Sequence, residues 1–172
     1  TVALNINSTN TPYAIVYSGY VHNVAPNDYI FKVDYNGEVL EHGISLNNSF
    51  YDENNELGLK LGFDATMVED GIKLHLTPDN PVIGYESFKL KDDNYILLGH
   101  NNRVFADVDM ISKGGTGITL YSTSNEENTD ALQDITLSIT KLDIKRLLSA
   151  IPYAPNVSGL LDGDVHFIQD ND

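Results

Sequence analysis

Residues 132–168 read LQDITLSITKLDIKRLLSAIPYAPNVSGLLDGDVHFI, and the hydrophobic period changes twice within them. Ile135, Leu137 and Ile139 alternate strictly with Asp134, Thr136, Ser138 and Thr140, the period-two signature of a half-buried strand. Ile144, Leu147, Leu148 and Ile151 then follow at i, i+3, i+4 and i+7, so all four share one helical face while Lys145 and Arg146 point away. Asp143 stands at the N-cap position and Pro152 stops the helix, which predicts a helix over 143–151. Pro155 keeps the next residues extended. From Ser158-Gly159 a second alternation sets Leu161, Val165 and Phe167 against Asp162, Asp164 and His166, with Gly163 interrupting it. A helix of about nine residues does not hold itself together in water, so its four apolar side chains are expected to pack on the flanking sheet.

Upstream of this unit the chain reads as strands. Val2 to Asn7 and Pro12 to His22 are β-rich, with Tyr13, Ile15 and Tyr17 alternating against Ala14, Val16 and Ser18 until 25–28 (APND) breaks the pattern, and they read as candidate edge strands. Asn36-Gly37 is the preferred type I′ turn and predicts a hairpin over Tyr29 to Ile44, with Val33 opposite Leu40, Phe31 opposite His42 and Lys32 opposite Glu41. Asn47 to Glu56 is polar and turn-rich, a surface loop anchored by Phe50 and Tyr51. Leu57 to Met67 is the longest alternation, placing Leu57, Leu59, Leu61, Phe63, Ala65 and Met67 on one face. With Asp70-Gly71 as a two-residue turn, Met67 falls opposite Leu74 and Ala65 opposite Leu76, so Ile72, Leu74 and Leu76 extend the same apolar surface. The other face, Gly58, Lys60, Gly62 and Asp64, suits solvent. From Ser87 short strands form a meander punctuated at 92–94, 100–102 and 113–115, and Ser122 to Asp130 reads as a polar loop.

At 172 residues the chain suits a single β-rich domain over 1–172, and a chain of this size buries about two thirds of its unfolded surface. A formal charge of -15, from 25 acidic and 10 basic residues, argues against nucleic acid, whose binding rests on Lys and Arg displacing counterions. It equally disfavours docking on anionic headgroups. With no cysteine there is no disulfide framework, thiol nucleophile or thiolate metal site, and the redox compartment stays open. No apolar run approaches the roughly 18 residues of a membrane span. Thr1 follows neither a methionine nor a signal peptide, and the chain reads as a piece of something longer.

Motifs that carry chemistry are lacking. The five histidines (His22, His42, His75, His100, His166) occupy five different elements without an HxH or HExxH spacing, so they read as ordinary strand and turn residues. The acidic run Asp52 to Glu56 superficially suggests calcium, but an EF-hand loop needs Gly where Leu57 stands and a bidentate Glu where Phe63 stands. Asp162 and Asp164 share a strand face like an acid and base pair, yet their inward neighbours are apolar, so the two read as solvated. No nucleophile elbow, P-loop or dinucleotide fingerprint is present, and Asn7, Asn47 and Asn156 only begin common N-x-S/T triplets. The expectation is a protein that is not an enzyme and has no cofactor, no metal site and no catalytic residue.

The order of a strand, then LDIKRLLSAIPYAPNVSG (142–159), then LLDGDVHF (160–167) resembles the TamB family of bacterial envelope proteins (translocation and assembly module), which are AsmA-like and related to the repeating β-groove lipid-transfer superfamily. The helix, the proline-containing exit and the return strand from Gly159 carry the resemblance. Pro81 to Tyr85 and Asn94 to Met110 fall within it, nothing before Leu57 does, and it covers roughly the C-terminal two thirds of the chain. The resemblance implies a mainly β fold, an elongated curved antiparallel sheet folded into an open, taco-like groove with one short helix, as a segment of a longer β-groove protein.

The groove would be lined by Leu57, Leu59, Leu61, Phe63, Ile72, Leu74, Leu76, Ile135, Leu137 and Ile139. Ile144, Leu147, Leu148 and Ile151 would pack the helix. The family implies a periplasmic location, a parent anchored in the inner membrane, an outer-membrane partner of the Omp85 class, and lipid acyl chains or nascent outer-membrane protein strands as cargo. Alternation by itself serves the core of a closed sandwich equally well, and the competing reading is a cell-surface β-sandwich that binds glycan or protein. A glycan platform needs coplanar Tyr or Trp side chains; this chain has no Trp and scatters its Tyr residues.

Overall fold

The computed structural model describes residues 1–10, 13–23, 31–100, 103–123, 131–151 and 153–170. Their strands are β1 (Val2–Asn10), β2 (Tyr13–His22), β3 (Lys32–Leu40), β4 (Gly43–Tyr51), β5 (Leu57–Val68), β6 (Gly71–Ile83), β7 (Glu86–Leu90), β8 (Tyr95–Gly99), β9 (Val104–Ser112), β10 (Gly117–Ser122), β11 (Ala131–Asp143) and β12 (Leu160–Asp170). One short helix, α1 (Ile144–Ser149), separates the last two. All join one antiparallel sheet in chain order, except that β7 and β8 share the space between β6 and β9. β8 pairs with the start of β6 (Gly71 to Leu74) and β7 with its end (Val82 and Ile83).

Register divides the sheet into two chemically different faces. One rung runs Ile15, Val39, Ile44, Ala65, Leu74, Ile96, Ala106, and a second continues Val108, Leu120, Leu137, Val165. Every residue on both is apolar. The neighbouring rung on the reverse face reads Val16, Glu38, Ser45, Asp64, His75. The buried core lies midway along the sheet, where Ile83, Phe88, Leu90, Val108 and Met110 cluster and Leu59, Leu76, Ile96, Ile118, Leu120 and Leu147 pack against them.

The sheet is strongly curved. α1 leaves the end of β11, yet a Cβ on Gly84, in the β6–β7 turn, would lie 3.0 Å from the backbone nitrogen of Leu147. Four strand spacings separate β11 from β6, about 19 Å if flat, while the stretch from Ile144 to Leu147 rises only about 5 Å. The two walls must therefore approach each other over the core.

Several sequence expectations are corrected. Asn36-Gly37 is not a turn: β3 runs straight through it, Asn36 pairs with Ser18 and Asn47, and the turn falls at Glu41 and His42. Gly37 is there because the Tyr17 ring lies over it, a Cβ at that point falling 2.6 Å from the phenol carbon Cζ. Tyr35 covers Gly19 on the adjacent strand in the reciprocal arrangement, and its hydroxyl donates to the Ala3 carbonyl at 3.0 Å. Lys32 meets Asp34 at 2.9 Å, not Glu41. β2 is an interior strand, and only β1 of the first two lies at an edge. The loop expected over Asn47 to Glu56 shrinks to 52–56, because Asn47 to Tyr51 belong to β4, with Asn48 and Phe50 on the inner face.

The next turn is Glu69-Asp70, so Met67 pairs with Ile72 and Ala65 with Leu74. The partner moves by two residues, which leaves every side chain on its expected face. Gly58 and Gly62 are buried rather than solvent-facing. The helix ends at Ser149, two residues short of the expected span, and Ile151 is 39% exposed instead of packed. Pro152, residues 25–28 and residues 124–130 of the expected polar loop lie outside the described residues.

Candidate functional site

The inner face gathers most of the residues singled out in the sequence. Phe63 pairs with Leu76, Leu59 with Ile83, and Ile135 and Leu137 face Phe167 and Val165. Leu57, Leu59, Leu61, Phe63, Leu74, Leu76, Ile135, Leu137 and Ile139 are all half-buried, and Ile72 is exposed. Sequence reasoning passed over Val39, Ile44, Leu46, Ile96, Val108, Met110, Ile118 and Leu120, which share that face. The alternation of Ile44, Leu46 and Phe50 was the available signal, masked by the polar residues between them.

One end of this surface is covered. Asp143 caps α1, its carboxylate accepting from the Arg146 N–H at 3.1 Å, and the short helix is held by close approach to two glycines. A Cβ on Gly58 would stand 2.7 Å from the Ala150 Cβ, so the helix end sits directly on the β5 backbone. Gly84 and Tyr85 both have positive φ (59° and 64°), forming the type I′ turn that aims Tyr85 at the helix. The Tyr85 hydroxyl lies 3.2 Å from the Ser149 carbonyl and 3.3 Å from the Asp52 carboxylate. Burial first, and the Asp52 charge second, push its phenol above the ordinary tyrosine value. Past the helix, Tyr153 meets Phe31 edge-on at a centroid distance of 5.9 Å and accepts from the Asn23 side-chain amide at 3.3 Å. The cap thus reaches from the β11 wall past the β5–β6 wall to the connection between β2 and β3.

Among the described residues nothing comparable covers the opposite end. Beside the β3–β4 turn a depression of about 310 Å³ is lined by Val39, Ile44, Ala65, Met67 and Ile72 among others, and Met67 is 68% exposed. These side chains border this mouth and lie on the same inner face as the core cluster. A larger hollow of about 620 Å³ on the reverse side of the same turn is flanked by Glu38, Ser45, Asp64 and Thr66.

The polar candidates do not converge. His75 contacts the Asn94 carbonyl, His100 the Glu69 carbonyl, and His166 the Asp134 carboxylate at 2.7 Å. Among the described residues no three His, Asp or Glu side chains are grouped as metal ligands. One carboxylate oxygen of Asp52 accepts from the N–H groups of Asn54 and Glu56, each at 2.9 Å, and the other faces Tyr85, which accounts for the acidic run by local turn chemistry. Asp162 accepts from the Lys141 N–H at a bulge, and Asp162 and Asp164 are both exposed. Exposed tyrosines Tyr20, Tyr121 and Tyr153 stand apart, on β2, on β10 and in the connection between α1 and β12. No helix among the described residues is long and apolar enough to cross a membrane.

No family model, no curated protein and no solved structure matches the chain.

Proposed function

We propose that the chain is a periplasmic segment of a TamB-like protein whose inner face shields lipid acyl chains, or the strands of unfolded outer-membrane proteins, during passage between the inner and outer membranes. The observation that supports this is the continuity of apolar side chains across the inner face, combined with their exposure, among the described residues, at the end away from α1. In a closed sandwich Met67, Ile72 and Ile44 would be covered by a second sheet. Here they are exposed and border a depression on the inner face. An acyl chain laid along such a surface leaves water with a gain of about 0.8 kcal/mol per CH₂, so shielding needs neither a cofactor nor a catalytic group. The inner-membrane anchor and the Omp85-class partner enter this reading through the TamB resemblance.

Native mass spectrometry of the purified chain, with photo-crosslinking to a diazirine fatty acid and separately to an unfolded outer-membrane strand peptide, tests the reading. Carried lipid, or crosslinks mapping to β4, β5 and β6 near the mouth, is the expected result. A chain that carries no lipid and captures neither probe overturns it.

A further inference from the structure

We propose that Asn48 is the polar contact by which the inner face recognises its cargo, its side-chain amide donating to the neutral carbonyl oxygen of an acyl ester. The inference rests on the shielding role proposed above and narrows it to esterified acyl chains. Asn48 belongs to β4, an interior strand paired on both sides, and its side chain faces inward. Its neighbours on that face are Tyr35 and Leu61 on the adjoining strands and Leu46 and Phe50 along its own. Asn48 is half-buried among them.

Other polar side chains on this face spend their hydrogen bonds on the sheet itself. Tyr17 donates to the Ser45 carbonyl and Tyr35 to the Ala3 carbonyl, while Ser122 bonds the Ala106 backbone and Gln133 the Val104 backbone. Asn47, the next residue in the chain but on the reverse face, accepts from the Thr77 hydroxyl at 3.1 Å. The Asn48 amide has no such partner among the described residues. Asparagine is poorly suited to a strand, and an amide held on an apolar surface without a protein partner costs stability that a Leu or Val would recover. A polar group kept at that cost marks a position where local preference yields to function.

The chemistry of the amide selects the ligand. A carboxamide is uncharged, and the lysines of the surrounding strands, Lys32, Lys60 and Lys73, all lie on the reverse face. They are not placed to neutralise a carboxylate or phosphate laid on the inner one. A neutral oxygen flanked by hydrocarbon fits: the ester carbonyl takes one N–H of Asn48 while its chain runs over Leu46, Leu61 and Phe63. An extended polypeptide fits less well. It brings a donor and an acceptor with nearly every residue, and the backbone groups of β3, β4 and β5 are already spent on one another. Its own would stay unpaired against apolar side chains.

Three diazirine probes that share one alkyl chain and end as a methyl ester, a free carboxylate or plain hydrocarbon test this on wild type and Asn48→Leu. Wild type is expected to capture the ester about three- to tenfold more tightly than the hydrocarbon, the worth of one neutral hydrogen bond, and the carboxylate less tightly than the ester. Asn48→Leu should hold ester and hydrocarbon alike, keep the wild-type affinity for hydrocarbon, and unfold at the wild-type midpoint or slightly above it. Equal capture of ester and hydrocarbon by wild type overturns the assignment, as does an ester preference that survives in Asn48→Leu. A markedly lowered unfolding midpoint overturns it too, since the amide would then serve the fold, and so does a variant that loses capture of an unfolded strand peptide in place of the ester. Wild type that captures none of the three probes overturns the shielding role as well.

Discussion

The side-chain amide of Gln133 lies against Val104 as a peptide group would: its Oε1 accepts from the Val104 N–H at 2.7 Å and its Nε2 donates to the Val104 carbonyl at 2.6 Å. β10, which separates β9 from β11 in the sheet, pairs no further toward this end of β9 than Asp107. A glutamine reaching across from β11 supplies the missing ladder bonds.

Asn94, almost fully buried, does the same where β7 and β8 part along β6, accepting from the Leu76 N–H at 2.8 Å and donating to the carbonyls of Leu76 and Lys91. Gln133→Ala is expected to cost about 1–3 kcal/mol, the desolvation penalty of groups left unpaired. Asn94→Asp should cost more at neutral pH, because a carboxylate would face two carbonyl oxygens in a buried site. Acidification should recover part of that loss as the introduced carboxyl protonates. Urea unfolding at neutral and acidic pH measures both, and an Asn94→Asp chain as stable as wild type at neutral pH would contradict the role given to this amide.

The cap makes an asymmetric prediction along the helix. Leu147 packs on the core cluster, whereas Lys145 and Ile151 are exposed. Leu147→Asp should destabilise by roughly 3 kcal/mol or more, from lost packing and a buried charge, while Lys145→Ala and Ile151→Ala stay within about 0.5 kcal/mol of wild type. Gly58→Val should behave like Leu147→Asp, since its side chain would displace Ala150. Comparable losses at Leu147 and Ile151 in thermal unfolding would show that the helix faces the other way.

The alternation rule read the inner face correctly from Leu57 to Leu76 and along β11 and β12, because a strand's side-chain period is indifferent to where its turn falls. Turn positions were less legible. Asn36-Gly37 carries the strongest local hairpin signal in the chain, but Gly37 is required by a neighbouring tyrosine ring, and that requirement arises only once β2 lies beside β3. Asn47 to Tyr51 look like loop when read singly; their partners on β3 and β5 make them strand. The helix ends two residues early, at Ser149, where Ala150 meets Gly58 and the Ser149 carbonyl meets Tyr85, contacts between residues far apart in the chain. Gln133 and Asn94 as ladder surrogates have no local signature at all.

Alkaline pH should weaken the fold through two phenols. Burial raises both Tyr17 and Tyr85 above the ordinary tyrosine value, with Asp52 adding to the effect at Tyr85. The unfolded chain therefore releases these protons first, near pH 10, and above that point it binds fewer protons than the folded chain. Stability is fully present below about pH 10 and falls as pH rises through the raised folded values. Tyr85→Phe and Tyr17→Phe should each flatten the alkaline limb of an unfolding-midpoint profile. Parallel profiles for wild type and both variants would show that neither phenol is linked to folding.

The mouth and the core should answer differently to the same charge. Met67 is largely exposed beside the depression, whereas Leu61 is half-buried and Phe88, deep under the curved walls, is 1% exposed. An aspartate at 67 remains hydrated, so Met67→Asp should leave the unfolding midpoint nearly unchanged while sharply reducing acyl-probe capture, because it puts a solvated charge where the acyl chain would lie. At Phe88 an aspartate forfeits large apolar burial and strands a charge away from water, so Phe88→Asp should unfold the chain outright. Leu61→Asp should fall between them, folded but weakened, with capture lost. The ordering is what a trough open at one end requires: a graded loss of stability from mouth to core, with loss of capture preceding loss of fold. If Met67→Asp and Leu61→Asp both unfold the chain as Phe88→Asp does, the inner face is a closed core. Acyl chains would then have no path to it.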